Sequence, residues 1–136
     1  MLVEDSPTDA SLIQECFQNA AVDIRVSHVG DGEAALAFLH RGVQYSDAPR
    51  PDLIVLDLNL PQLSGLEVLR AAKADLQLRS IPVIVLTSSA VEEDIHRAYD
   101  LQAACYFSKP TDLEGFAGLV RSIEEHWVER ARLPKS

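Results

Sequence analysis

Apolar residues fall along this chain in two alternating kinds of run. Leu53-Ile54-Val55-Leu56 and Ile81-Pro82-Val83-Ile84-Val85-Leu86 are continuous and have no polar face. They read as strands buried on both sides, as in parallel sheets wrapped by helices. Elsewhere apolar positions recur every three or four residues: Leu12, Ile13, Cys16 and Phe17; Ala34, Ala35, Phe38 and Leu39; Leu66, Val68, Leu69 and Ala72; Ile95, Ala98, Tyr99 and Leu101; Phe116, Leu119, Val120, Ile123 and Trp127. Each set predicts a helix with one face turned inward. Three shorter strands complete the alternation. They are Met1 to Val3, a half-exposed Asp23 to His28 in which Ile24 and Val26 alternate with Arg25 and Ser27, and Ala104 to Phe107.

Helix starts are marked as well. Ser6-Pro7-Thr8-Asp9 supplies a cap, a first-position proline and an acid for the positive end of the helix dipole. Asp31-Gly32 opens the second helix, and Ser64 with Glu67, Ser89 with Glu92 and Thr111 with Glu114 form capping boxes. The last helix is expected from about Asp112 to Arg132, and residues 41–51 make a long loop carrying Gly42, Tyr45, Pro49 and Pro51. Five strands alternating with five helices predict an α/β fold, one parallel sheet with right-handed crossovers. The reading is of a single domain over 1–136, without internal repeats and with no effector domain after the final helix.

Composition narrows the function. A net charge of -9 and a pI near 4.7 argue against nucleic acid or an anionic membrane as main partner and suit a protein that binds a cation. The start of the chain has no signal pattern and its longest apolar run is far too short to span a bilayer, so the expected location is cytoplasmic. Cys16 and Cys105 lie in apolar contexts without metal-ligand spacing and read as reduced core residues.

Four predicted strand ends fall on the carboxyl edge of the sheet, where open α/β sheets carry their chemistry. They deliver Glu4-Asp5, Asp57, Thr87 and Lys109. Any one of these alone reads as a cap, a turn residue or a solvated acid; their ordered joint occurrence reads as a site. Two carboxylates ~4 Å apart at an effective dielectric of ~20 repel by about 4 kcal/mol. Lys109 offsets one charge, and the rest calls for a hard divalent cation with oxygen ligands, Mg²⁺, which would also recruit a backbone carbonyl. A carboxylate beside Mg²⁺ and a lysine is a phosphoryl acceptor. On this reading Asp57 attacks, with Mg²⁺ between it and the incoming oxygen, Lys109 neutralises a second oxygen and the Thr87 hydroxyl donates to a third.

This constellation, Glu4-Asp5, Asp57 with Pro61 and Gly65 downstream, Thr87 with Ser88, Tyr106, and Lys109-Pro110, resembles the response-regulator receiver domain of two-component signalling. The resemblance covers essentially the whole chain. It implies a flavodoxin-like (CheY-like) doubly wound sheet of five parallel strands in the order 2-1-3-4-5 with five helices. It also implies phosphoryl transfer from a histidine kinase to Asp57, without enzymatic turnover beyond self-phosphorylation and slow self-dephosphorylation. Mg²⁺ would be held by Asp5, Asp57 and the Asn59 main-chain carbonyl, with Glu4 acting through water. Thr87 would move toward the phosphoryl group and Tyr106 would turn inward, a switch that alters the surface offered to partners. The peptide between Lys109 and Pro110 is a candidate for the cis form.

A narrower likeness is to the single-domain regulators paired with bacterial phytochromes. It rests on Asp47-Ala48-Pro49-Arg50-Pro51-Asp52, on Asp57-Leu58-Asn59-Leu60-Pro61 and on the tail from Trp127 to Pro134. It implies a bacterial phytochrome as the kinase and a homodimer through the fourth helix, fifth strand and fifth helix, with Trp127 near the contact. Gln102 departs from the family, which usually has glycine after the fourth helix; a left-handed Gln there costs about 1 kcal/mol. Asn59 and Ser89, each two residues past a site residue, flank the route of attacking water.

Two other readings compete. An aspartyl-phosphate hydrolase would need a proton-shuttling carboxylate two residues after Asp57, where this chain has Asn59. A phosphorylation-independent binding module on the same fold would leave the complete acidic set without a purpose.

Overall fold

The computed structural model describes residues 1–19, 24–41, 47–87, 92–110 and 112–125, with the backbone alone at 87 and 92–95. The elements alternate throughout: β1 (Leu2–Val3), α1 (Pro7–Gln18), β2 (His28–Val29), α2 (Gly32–Leu39), β3 (Ile54–Leu56), α3 (Gly65–Ala74), β4 (Val83–Thr87), α4 (Glu92–Asp100), β5 (Cys105–Ser108) and α5 (Leu113–Ile123). All strand pairs are parallel and the order is β2-β1-β3-β4-β5, as expected from the resemblance.

Alternation along the strands builds two cores, one on each face of the sheet. Leu2, Val55, Ile84 and Leu86 pack against Ile13 and Phe17 of α1 and Phe116, Leu119 and Val120 of α5. Val3, Leu56, Val83 and Val85 pack against Phe38 and Leu39 of α2, Val68 and Leu69 of α3 and Ala98 of α4. Each such side chain contributes about 1.5–3 kcal/mol over its exposed state, which offsets the cost of charge gathered at one edge. The helices are fixed by their caps. Ser6 accepts from the Asp9 amide, Asp31 from Ala34 and Ser64 from Glu67.

Four local expectations change. The fifth helix is capped by Asp112, whose side chain takes the Gly115 amide at 2.7 Å, so the cap lies one residue beyond Thr111. The second strand is His28–Val29 rather than Asp23 to His28, because β1 offers only Leu2 and Val3 as ladder partners and residues 24–27 run on past its end. No cis peptide occurs among the described residues, so Lys109-Pro110 is trans. Cys16 and Cys105 are both free but only half-buried, at the margins of the core rather than within it. Gln102 does take the left-handed conformation, with φ 68°. Ser88, Ser89, Thr111, Trp127 and the tail to Pro134 lie outside the described residues.

Candidate functional site

Parallel pairing brings the ends of β1, β3 and β5 to one edge, and the next residue of each strand carries the charge. Glu4 follows β1, Asp57 follows β3, and Lys109 follows β5. Glu4 and Asp57 are almost fully buried, at 1% and 4% exposure, whereas Asp5 faces solvent. The Asp57 amide donates to the Val3 carbonyl at 3.0 Å, which ties the acid to the central strand. Gly65 opens α3 so close to this loop that a Cβ there would meet Leu58 Cα at 2.6 Å and the Asp57 main-chain oxygen at shorter range still. A glycine is what lets α3 start against the Asp57 backbone.

Lys109 is the counter-charge. Its Nζ lies 3.1 Å from Asp57 Oδ2, 2.6 Å from Glu4 Oε1 and 3.0 Å from Asp9 Oδ2. Burial alone would lower the ammonium pKa, but the carboxylates of Glu4, Asp9 and Asp57 together hold it well above its ordinary value. The second Asp57 oxygen, Oδ1, accepts the Asn59 amide at 2.9 Å. Glu4 Oε2 accepts the Ser6 amide at 3.1 Å, while Oε1 has no hydrogen bond of good geometry despite the short approach of the lysine. Burial pushes the Glu4 carboxyl up to about 7, against the lowering effects of Lys109 and the Ser6 amide, with Asp57 raising it further.

One oxygen each from Glu4, Asp5 and Asp57 lies within 4.8 Å of the others. This set, all hard oxygen donors with one buried carboxylate oxygen imperfectly satisfied, fits a divalent cation of the Mg²⁺ class. Thr87 ends β4 opposite Ser108 in the β4–β5 register, beside Lys109 in sequence; its side chain lies outside the described residues. Tyr106 stands opposite Val85, partly buried against the α2–α3–α4 core.

Two members of the site were not legible as such. Asp9 reads in sequence as a dipole complement in the first turn of α1, yet its carboxylate shares Lys109. His28 opens the short second strand, and its Nε2–H donates to the Glu4 main-chain oxygen at 2.8 Å. The available signal was positional: a first-turn acid and a histidine at the end of the strand expected from sequence both lie near the edge already marked by Glu4 and Asp57.

The known proteins similar to this chain agree with one another. The profile described as "Response regulator receiver domain" matches residues 1–121. Response regulator Rcp1 of Synechocystis sp. is 42% identical over 134 residues, spanning 98% of this chain and 91% of that protein. The Mn²⁺-bound structure of Rcp1 superposes with a TM-score of 0.93 at 42% identity, covering 98% of this chain and 96% of that one. The structure of the phosphorylated cyanobacterial phytochrome response regulator RcpA gives 0.94 at 46% identity over the same shares, 98% and 96%. The chain belongs to the response-regulator receiver-domain family.

Proposed function

We propose that this receiver domain accepts a phosphoryl group on Asp57 from a histidine kinase, with Mg²⁺ as its cation, and that the product switches a partner-binding surface. The observation that carries this reading is the state of Asp57: a buried carboxylate with one oxygen on the Asn59 amide and the other on Lys109, inside a three-acid cluster. Such an acid is positioned and counter-charged, which is what a nucleophile toward phosphorus requires. When bound, Mg²⁺ supplies positive charge to the phosphoryl oxygens. Asp5, Asp57 and the Asn59 main-chain carbonyl would hold it, with Glu4 acting through water. Lys109 takes charge from a phosphoryl oxygen, and the Thr87 hydroxyl donates to another.

The added charge, about -1.5 to -2 on the phosphoryl group, draws Thr87 toward the site, and Tyr106 turns further into the core it already touches. The surface so altered is α4–β5–α5, where a homodimer would form; the exposed Tyr99 of α4 supports that placement. The kinase we favour is a bacterial phytochrome, because RcpA, 46% identical, is a phytochrome response regulator. No helix among the described residues is long and apolar enough to cross a membrane. Incubation with acetyl phosphate and Mg²⁺ should add one phosphoryl mass, and Asp57→Asn should abolish it. Labelling that survives the substitution would place the acceptor elsewhere.

A further inference from the structure

The two acids that follow β1 are held in different ways. Glu4 is buried, with one oxygen on the Ser6 amide and the other beside Lys109. Asp5 faces solvent, yet one of its oxygens lies within 4.8 Å of oxygens of both Glu4 and Asp57. An exposed side chain is aimed chiefly by its own backbone, and the backbone just ahead of Asp5 is the Glu4–Asp5 peptide. The Glu4 amide is fixed by the β1–β2 ladder, donating to the Val29 carbonyl at 3.1 Å. The next rung of a parallel ladder would bring the Asp31 amide to the Glu4 main-chain oxygen. Asp31, however, is already turning into α2 as its cap, with its side chain on the Ala34 amide at 2.7 Å. The His28 ring takes that place. It reaches forward from opposite Leu2 and sets Nε2 2.8 Å from the Glu4 oxygen. A carbonyl oxygen only accepts, so Nε2 carries the hydrogen.

We propose that His28 is a positioning residue for the cation site: its ring N–H fixes the plane of the Glu4–Asp5 peptide and thereby holds the Asp5 carboxylate toward Glu4 and Asp57. This inference rests on the reading of that acidic cluster as the Mg²⁺ site of a phosphoryl acceptor. With the bond gone, the peptide is free to tilt where β1 leaves the sheet, and the exposed Asp5 spends part of its time turned away from the cluster. Hydrogen bonds that orient a metal's ligands from behind commonly change affinity by about 10–100-fold. One made to the main chain by an exposed ring belongs at the lower end of that range. Because His28 acts through a peptide, another side chain offering an N–H at the same reach should serve. The glutamine amide nitrogen is as many bonds from Cα as Nε2, whereas leucine fills similar space without a donor.

The test compares the natural chain with His28→Leu and His28→Gln, all unphosphorylated, by following amide shifts during a Mg²⁺ titration at pH 7.5. His28→Leu should weaken Mg²⁺ binding about tenfold, and His28→Gln should stay within about twofold of the natural chain. In metal-free protein the Glu4 carbonyl-carbon shift should move in the leucine variant and return in the glutamine one. Equal affinities in all three chains, or a loss in His28→Gln as deep as in His28→Leu, would overturn the positioning role while leaving the Mg²⁺ site in place. A natural chain that binds no Mg²⁺ would overturn the underlying reading and the positioning role with it.

Discussion

The two ends of the same five strands have opposite chemistry. At the carboxyl edge Glu4, Asp9, Asp57 and Lys109 crowd within ion-pair distance, and two of the acids are buried. At the amino edge the strands frame a cavity between Phe17 and Phe38, and the partly buried Met1 amine stands at its head. The strands' middles are uniformly apolar and hold both ends in register. Hydrophobic packing thus supplies the rigidity, while the carboxyl edge alone gathers buried acids that outnumber their counter-charge.

The comparison breaks most visibly at Lys109. Lys109→Met leaves Glu4 and Asp57 buried without their counter-charge and should cost about 3–5 kcal/mol, read by urea denaturation. The loss should shrink at pH 5 and on adding Mg²⁺. Gly65→Ala comes next. Its methyl must push the Asp57–Leu58 backbone, costing about 1–3 kcal/mol, and a shift of the nucleophile near 1 Å can lower phosphorylation about 100-fold.

The edges should also differ in the sign of their pH dependence. With Glu4 near 7 in the folded protein and ordinarily 4.5, the folded state keeps a proton that the unfolded chain loses. Its stabilising contribution is full below pH 4.5 and is lost as pH rises through 7. The melting point of Glu4→Gln relative to the natural protein should therefore climb from pH 5 to 8 in metal-free buffer. Met1 runs the other way. Its amine sits near 6 against an ordinary 8.0, so stability should rise with pH across that window, and acetylating the amine should remove the rise. The smallest effect belongs to Gln102, in the turn leading into β5. At φ 68° it is strained, and Gln102→Gly should stabilise by about 1 kcal/mol in the same denaturation assay, without altering phosphorylation.

What could be read from the sequence was whatever local periodicity or a strand end records. Val55 and Val85 announce buried strands because they sit in runs with no polar face, and Asp57 and Lys109 announce themselves by following such strands. The pairing of Asp9 with Lys109 spans a hundred residues and leaves no mark in either neighbourhood, so Asp9 was legible only as a helix-start acid. The second strand was misplaced for a related reason. Ile24 and Val26 have strand alternation, but a ladder needs a partner, and β1 gives out at Leu2. Thr111 and Asp112 are both good caps, and only the backbone geometry decides for Asp112.

The most direct test is a Mg²⁺ titration of the melting point at pH 7.5, in the natural chain and in Asp5→Asn. If the carboxyl edge is built to be completed by a cation, Mg²⁺ at a hundredfold over its dissociation constant should raise the melting point of the natural chain by about 5–10 °C, with a much weaker response in the variant. A natural chain whose melting point ignores millimolar Mg²⁺, or a variant that responds equally, would contradict it.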